Sequence, residues 1–187
     1  MKHSGEVRII GGKLKGKLLP VYEAEGLRPT PDRVRETLFS WLDNYLDAAN
    51  VLDLFAGSGA LGFEAYSRGA AKVTLVEINE VNYRSLSKIA SSIDNQAITV
   101  VNQDANNFLS NTHDVYDIVF LDPPYNSELL KNVLSSLVKN NLVNEQSVIY
   151  VEMRDGHNEA VPGYEIIREQ SAGQAKYALW KKSSFLF

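Results

Sequence analysis

The sequence predicts an α/β fold: a doubly wound, mostly parallel sheet of seven strands with an antiparallel carboxyl-terminal strand. Three observations predict it. From Asn50 onward, short apolar runs alternate with stretches whose apolar residues recur at helical spacing, the pattern of parallel strands joined by right-handed helical crossovers. The first run ends in a glycine-rich turn, Ala56-Gly57-Ser58-Gly59, that leads directly into a helix. The last two runs have no helix between them and are joined through Gly173, which suits a terminal antiparallel hairpin on a parallel sheet.

The chain has 187 residues, enough for one domain with a small appendage. Residues 7–19 read as a β-hairpin: Val7-Arg8-Ile9-Ile10, a Gly11-Gly12 turn, then a returning strand on which Lys13, Lys15 and Lys17 alternate. A loop follows, with Pro20, Gly26 and Pro29. Thr30 is a candidate N-cap and Pro31 a first helical residue, before Val34, Leu38, Trp41, Leu42 and Tyr45 at helical spacing. Trp41 and Tyr45 are assigned to the core. Strands are then expected over 51–55, 72–77, 98–102, 116–121 and 147–152, and over 164–170 and 176–182 in the hairpin. Helices are expected over 60–68, 80–92 and 127–139, with a short one at 105–110. Six strands should share a direction and one should be reversed. The division that follows is a basic arm, 1–29, and a body, 30–187.

With 44% apolar and 22% charged residues, the composition is that of a globular protein with a sizeable core. No apolar run approaches the roughly 20 residues that span a bilayer, and none near the amino terminus resembles a secretory signal, so a cytoplasmic protein is expected, with a monomer as the default. The chain has no cysteine, which excludes disulfides, thiolate metal sites and cysteine nucleophiles, and its three histidines are scattered. No metal site is expected. The net charge is −4, yet residues 1–19 hold Lys2, Arg8, Lys13, Lys15 and Lys17 against Glu6 alone. A basic arm on an acidic body suits a polyanionic partner.

Gly57, Gly59 and Gly62 spell G-x-G-x-x-G, with Glu77 twenty residues after Gly57, the spacing of a dinucleotide site. Asp53, inside the preceding strand, argues for another ligand. A carboxylate there repels a pyrophosphate but suits a ligand carrying an ammonium and a sulfonium group, which points to S-adenosylmethionine. Gly57 and Gly59 would let the backbone approach its methionine portion. Glu77 would accept from both ribose hydroxyls, and Asp104 from the adenine amine. The expected cofactor contacts are Asp53, Phe55, Ala56, Gly57, Ser58, Gly59, Glu77, Ile78, Asp104 and Ala105.

The segment Ile118-Val119-Phe120-Leu121-Asp122-Pro123-Pro124-Tyr125 ends a buried strand in an acid, two prolines and an aromatic ring. These residue types fit methylation of an exocyclic amine, whose lone pair is delocalised into the base. Asp122 and the Pro123 carbonyl can accept the two amine hydrogens and free that lone pair. Pro123 and Pro124 fix φ, so the carbonyl is aimed in advance. Tyr125 offers a face on which an extruded base can stack. No covalent enzyme–base bond is needed, in agreement with the missing cysteine.

The glycine loop together with Asp122–Tyr125 resembles the amino-methyltransferases of nucleic acids. Arg8-Ile9-Ile10-Gly11-Gly12-Lys13, Gly16-Lys17, Leu27-Arg28-Pro29-Thr30 and Arg33-Val34-Arg35-Glu36-Thr37-Leu38-Phe39 are similar to the RsmD family. Leu14 departs from its pattern, standing where many members carry an aromatic residue. The resemblance implies a Rossmann-like class I methyltransferase that methylates the N2 amine of a guanine in 16S ribosomal RNA, within a small ribosomal subunit or an assembly intermediate. It implies that Asp122 through Tyr125 carry the reaction. It gives Arg8, Lys13, Lys15, Lys17, Arg28, Arg33 and Arg35 an RNA-binding role. Three other readings stay open: an adenine amino-methyltransferase, a nicotinamide-dependent oxidoreductase built on the literal glycine motif, and a non-catalytic RNA-binding module.

Overall fold

A computed structural model of the chain describes residues 3–22, 29–124, 127–154 and 161–183. Strands β1 (His3–Arg8) and β2 (Leu18–Tyr22) pair antiparallel in a sheet of their own, Arg8 opposite Leu18. The expected hairpin is therefore present with different bounds. Its connection spans 9–17, so Lys13, Lys15 and Lys17 lie in a loop and not along a returning strand. The loop is closed by Ile9 N–H on the Lys17 carbonyl (2.9 Å) and Gly16 N–H on the Ile9 carbonyl (2.8 Å). It is held open by bonds to the body, Lys13 N–H to the Ser67 carbonyl at 2.9 Å among them, which a two-residue turn would forgo.

Helix α1 (Asp32–Leu42) follows, capped at Pro31 with no side-chain cap bond, and runs into a 3₁₀ turn over Asp43–Tyr45. Thr30 is thus not the N-cap; its hydroxyl lies near Glu152 across the fold. The body continues as β3 (Asn50–Asp53), α2 (Ala60–Ser67), β4 (Lys72–Val76), α3 (Glu80–Ile93), β5 (Ile98–Val101), α4 (Ala105–Asn111), β6 (Ile118–Leu121), α5 (Ser127–Lys139), β7 (Val148–Arg154), β8 (Tyr164–Ala172) and β9 (Ala175–Lys182). The seven-stranded sheet has the order β5-β4-β3-β6-β7-β9-β8. Strands β3 to β7 are parallel, and β9 runs against both β7 and β8, giving six strands in one direction and one reversed.

Alternate strand residues feed two apolar layers, because successive side chains leave opposite faces. Val51, Val73, Leu75, Ile118, Phe120 and Tyr150 pack with α1, α2 and α3. Leu52, Val76, Val119, Leu121, Ile149 and Val151 pack with α4 and α5. Burial on both faces is why these strands read as near-continuous apolar runs. Ile9 and Leu19 enter the first layer, so the arm shares the core of the body; Trp41 and Tyr45 lie half-buried against that layer. No described helix is long and apolar enough to cross a membrane.

Chain order reverses at β3, whose neighbours are β4 on one side and β6 on the other. Ligands of open α/β sheets bind at the carboxyl ends of the strands beside such a switch point.

Candidate active site at the carboxyl edge of the sheet

Each of the five parallel strands from β3 to β7 carries an acid near its carboxyl end: Asp53, Glu77, Asp104 and Asp122 at or just past it, and Glu152 two residues before the end of β7. Asp53 is the best buried, with 3% of its surface exposed. Its Oδ2 accepts the Gly62 N–H at 3.2 Å, and the Phe55 N–H lies nearby. Burial, aided by the nearby charge of Glu77, pushes its pKa up to about 7 against the opposing pull of the Gly62 N–H. The loop after β3 is shaped by Gly57 (φ +56°) and Gly59 (φ +82°), both in the left-handed region.

A Cβ on Gly59 would run into the Phe63 ring and Leu86, so the turn and the protein's own packing already require glycine there. A Cβ on Gly62 would overlap Leu75 Cδ2; its absence lets α2 settle onto β4 above Asp53.

Glu77 fastens the loop from the next strand. Its Oε2 accepts the Gly57 N–H at 2.7 Å and its Oε1 the Asn79 N–H at 2.8 Å. A carboxylate offers about four acceptor sites, so one on each oxygen stays open for a diol such as ribose. Asn102 Nδ2 bonds to the Glu77 and Ile78 carbonyls and holds this strand end. Ile78 is 68% exposed beside it, an apolar surface of the kind that covers a flat heterocycle. Asp104 is exposed and caps α4 by accepting the Asn107 N–H on Oδ1, with Oδ2 turned to neither backbone nor side chain among the described residues. The donor set therefore fits S-adenosylmethionine: acids for its cationic end and its diol, an apolar face for its base.

The reacting loop meets this site across the switch point. Asp53 pairs with Phe120, two residues before Asp122. Leu54 N–H donates to the Phe120 carbonyl at 3.2 Å. The Asp122 carboxyl lies close enough to Asp53 to feel its charge, and it hydrogen-bonds Glu152. Pro123 is buried and Pro124 exposed. Tyr125, like Arg28, lies outside the described residues.

The basic group separates into two kinds. Arg8, Lys13, Lys15 and Arg33 are exposed and Lys17 half-buried, with the Lys13 ammonium 3.8 Å from the centre of the Tyr66 ring. Arg35, grouped with them in sequence, is wholly buried and turned inward. It bonds to the Thr30 carbonyl (3.3 Å), the Arg8 carbonyl (3.0 Å) and Asp32 (2.5 Å), and cannot meet RNA in this fold. The residue it answers is Glu64, which sequence reasoning passed over, as it did Glu152. Both carried a signal: each is a lone acid inside an otherwise buried run, Leu61-Gly62-Phe63-Glu64-Ala65 and Tyr150-Val151-Glu152-Met153. Among the described residues, no group of three or more histidines and acids is placed to hold a metal ion.

Residues 7–181 match the profile of a family described as conserved hypothetical protein 95. The chain is 42% identical over 183 residues to ribosomal RNA small subunit methyltransferase D of Escherichia coli, covering 97% of this chain and 92% of that one. It is 41% identical over 182 residues to the protein of the same name in Haemophilus influenzae, covering 95% and 94%. Among solved structures, yhhF of Escherichia coli superposes with a TM-score of 0.88 at 39% identity, covering 97% of this chain and all of that one. The fold is shared with magnesium protoporphyrin IX methyltransferase of Synechocystis, solved with S-adenosylmethionine bound, at a TM-score of 0.65 and 21% identity over 81% and 79%.

Proposed function

The chain belongs to the family described as conserved hypothetical protein 95, the RsmD family, and from that premise we propose that it methylates the N2 amine of a guanine in 16S ribosomal RNA, with S-adenosylmethionine as methyl donor. The observation that carries this reading is the adjacency of the two loops. Asp53 and Asp122 leave neighbouring strands β3 and β6 at one edge, so a cationic methyl donor above the first stands beside an amine held by the second.

S-adenosylmethionine, when bound, supplies an electrophilic methyl group. Asp53 balances its positive end, Glu77 receives its diol, Ile78 covers its base and Asp104 accepts from the adenine amine. Asp122 and the Pro123 carbonyl accept the hydrogens of the guanine amine and turn its lone pair out of conjugation. Tyr125 stacks the extruded base, worth about 1–3 kcal/mol. Catalysis of this kind is alignment and electrostatics, without a covalent enzyme intermediate. Residues 1–29 form the RNA-binding arm, with Arg8, Lys13, Lys15, Lys17 and Arg28, joined by Arg33, positioning phosphates.

The test is transfer of labelled methyl from S-adenosylmethionine to small ribosomal subunits lacking base modifications, followed by nucleoside digestion, with Asp122→Ala alongside. Label in N2-methylguanosine that disappears in the variant supports the reading. Label in adenosine moves the base, and absence of cofactor binding overturns the whole assignment.

A further inference from the structure

Glu152 has no part in that reaction, yet it is placed against its centre. Leu121 pairs with Val151, so Asp122 and Glu152 are the next residues along adjacent parallel strands, on the same face of the sheet. Their side chains hydrogen-bond each other. Two carboxyl groups can share such a bond only when one carries a proton. The Thr30 hydroxyl lies near Glu152 from the turn before α1, and among the described residues Glu152 Oε2 is buried without a hydrogen-bond partner. An acceptor left open inside the protein, one bond away from the group that holds the amine, is a place for a proton to go.

We propose that Asp122 and Glu152 form a one-proton relay that takes up the proton released by the methylated amine. The inference rests on the amine-methylation reading above. As the N–C bond forms, the C–S bond breaks and its electron pair leaves with sulfur. The nitrogen, now positive, gives its N–H proton to the carbonyl oxygen of the Asp122 carboxyl and keeps the electron pair. The hydroxyl proton of that carboxyl passes to Glu152. Asp122 is again a neutral acid, and the released proton rests on Glu152, to be returned to water after the product leaves. Asp122 thereby accepts from the amine throughout without adding a second negative charge beside Asp53.

The surroundings agree. Burial and the Glu152 charge push the Asp122 carboxyl well above the usual carboxylate range, and burial raises Glu152 as well. The groups facing the pair are Asp53 on β3, the Tyr150 hydroxyl on β7, Tyr177 opposite Glu152 on β9, and Thr30, whose carbonyl is held by the Arg35 guanidinium. Among the described residues, no cation is among the groups that shift either acid.

Two measurements test the relay. Carboxyl carbon NMR titration of the free protein needs no substrate. Wild type is expected to show Asp122 protonated and Glu152 ionised at neutral pH, and Glu152→Gln to lower the titration of Asp122 while burial still holds it above the ordinary carboxylate range. Two acids titrating independently in the ordinary range would overturn the shared proton, whatever the substrate proves to be. In methyl transfer, Glu152→Gln should lower kcat by about 100-fold, the usual scale for a lost proton acceptor. KM for S-adenosylmethionine and for the subunit, and the melting temperature, should stay near wild type. Glu152→Asp should restore most of the rate together with an acid limb in the pH profile of kcat at saturating S-adenosylmethionine, where the Asp53 titration is suppressed, and Glu152→Gln should lose that limb. An unchanged kcat in Glu152→Gln, or an acid limb that persists in it, would sink the relay while leaving the methylation reading intact.

Discussion

Arg35 and Glu64, both wholly shielded from solvent, face each other at 3.6 Å where α1, α2 and the arm meet. Glu64 also accepts the Ile10 N–H at 2.9 Å, the Gly11 N–H at 2.9 Å and Arg68 Nε at 2.9 Å. One buried carboxylate therefore ties the amino-terminal arm to the helix that begins at the glycine loop. Its other partner, Arg35, reaches on to Thr30, which touches Glu152 and through it Asp122.

Removing Glu64 leaves the buried Arg35 with only the exposed Asp32 as counter-ion and strands the Ile10 and Gly11 N–H groups, and breaking a buried pair of this kind costs about 3–5 kcal/mol. Glu64→Ala should therefore lower the free energy of unfolding by that amount in urea titration. Glu64→Gln, which keeps the acceptor oxygen for the arm, should lose less. A loss under 1 kcal/mol in Glu64→Ala would show that the arm is not anchored there.

Gly62 is where helix and strand come closest. A methyl group there would overlap Leu75 Cδ2 and press on Asp53, which sits 3.4 Å from the same position. Gly62→Ala should destabilise the fold by about 1–3 kcal/mol, the usual cost of overpacking. It should also weaken S-adenosylmethionine binding, since the Gly62 N–H that holds Asp53 is displaced. Calorimetric titration and thermal melting read the two effects separately. Full cofactor affinity in a destabilised variant would separate the helix packing from the site.

The sheet was legible because each of its strands announces itself by an uninterrupted apolar run and each crossover by a helical period. Strand ends of this sheet came out within two residues, as at 116–121 against Ile118–Leu121, since Tyr116 is apolar and buried without being in the ladder. The acids at strand ends were legible for the same reason: Glu77 and Asp122 each close an apolar run, Asp53 interrupts one just before the glycine turn, and Asp104 follows one by three residues. What the sequence hid were long-range polar partnerships. Thr30 before Pro31 looks like a helix cap, and Arg33 and Arg35 look alike. Only the arrival of Glu64 from α2 and Glu152 from β7 turns Arg35 and Thr30 inward. The arm loop was misdrawn because its hydrogen bonds go to Ser67, more than fifty residues away.

Asp53, with its pKa near 7 in the free protein, should make cofactor binding pH-dependent. A cationic ligand favours the carboxylate, so binding lowers this pKa and releases a proton. Affinity for S-adenosylmethionine should be flat above pH 7 and fall by about tenfold per pH unit below it, until the pKa of the complex is reached. Asp53→Asn should bind weakly and without this dependence. Stability runs the other way. The folded pKa lies above the ordinary 3.8, so the folded state holds the proton more tightly and stability falls as pH rises from about 4 to 7. Asp53→Asn should accordingly melt above wild type at pH 8. Titrations across pH 5.5 to 8.5 decide it, and an affinity that does not change with pH would remove Asp53 from the cation's neighbourhood.

Arg33 and Arg35 stand two residues apart on α1, and the fold assigns them opposite tasks. Arg33 is exposed on the same element that Arg35 anchors from within. Each phosphate contact of a cation adds about 0.7–0.9 to the slope of log affinity against log salt. Arg33→Ala and Lys15→Ala should each reduce that slope by about one contact in RNA binding, with melting temperature and cofactor affinity unchanged. Arg35→Ala should do the reverse: it should lower the melting temperature by leaving Glu64 with Arg68 alone as counter-ion and by freeing the Thr30 and Arg8 carbonyls, and where the protein stays folded at low temperature the salt slope should stay that of wild type. Filter binding of small-subunit RNA from 50 to 200 mM salt, run beside thermal melts, separates the two. A salt slope that drops in Arg35→Ala but not in Arg33→Ala would mean that α1 turns its other face to RNA, and that the buried pair opens when RNA binds.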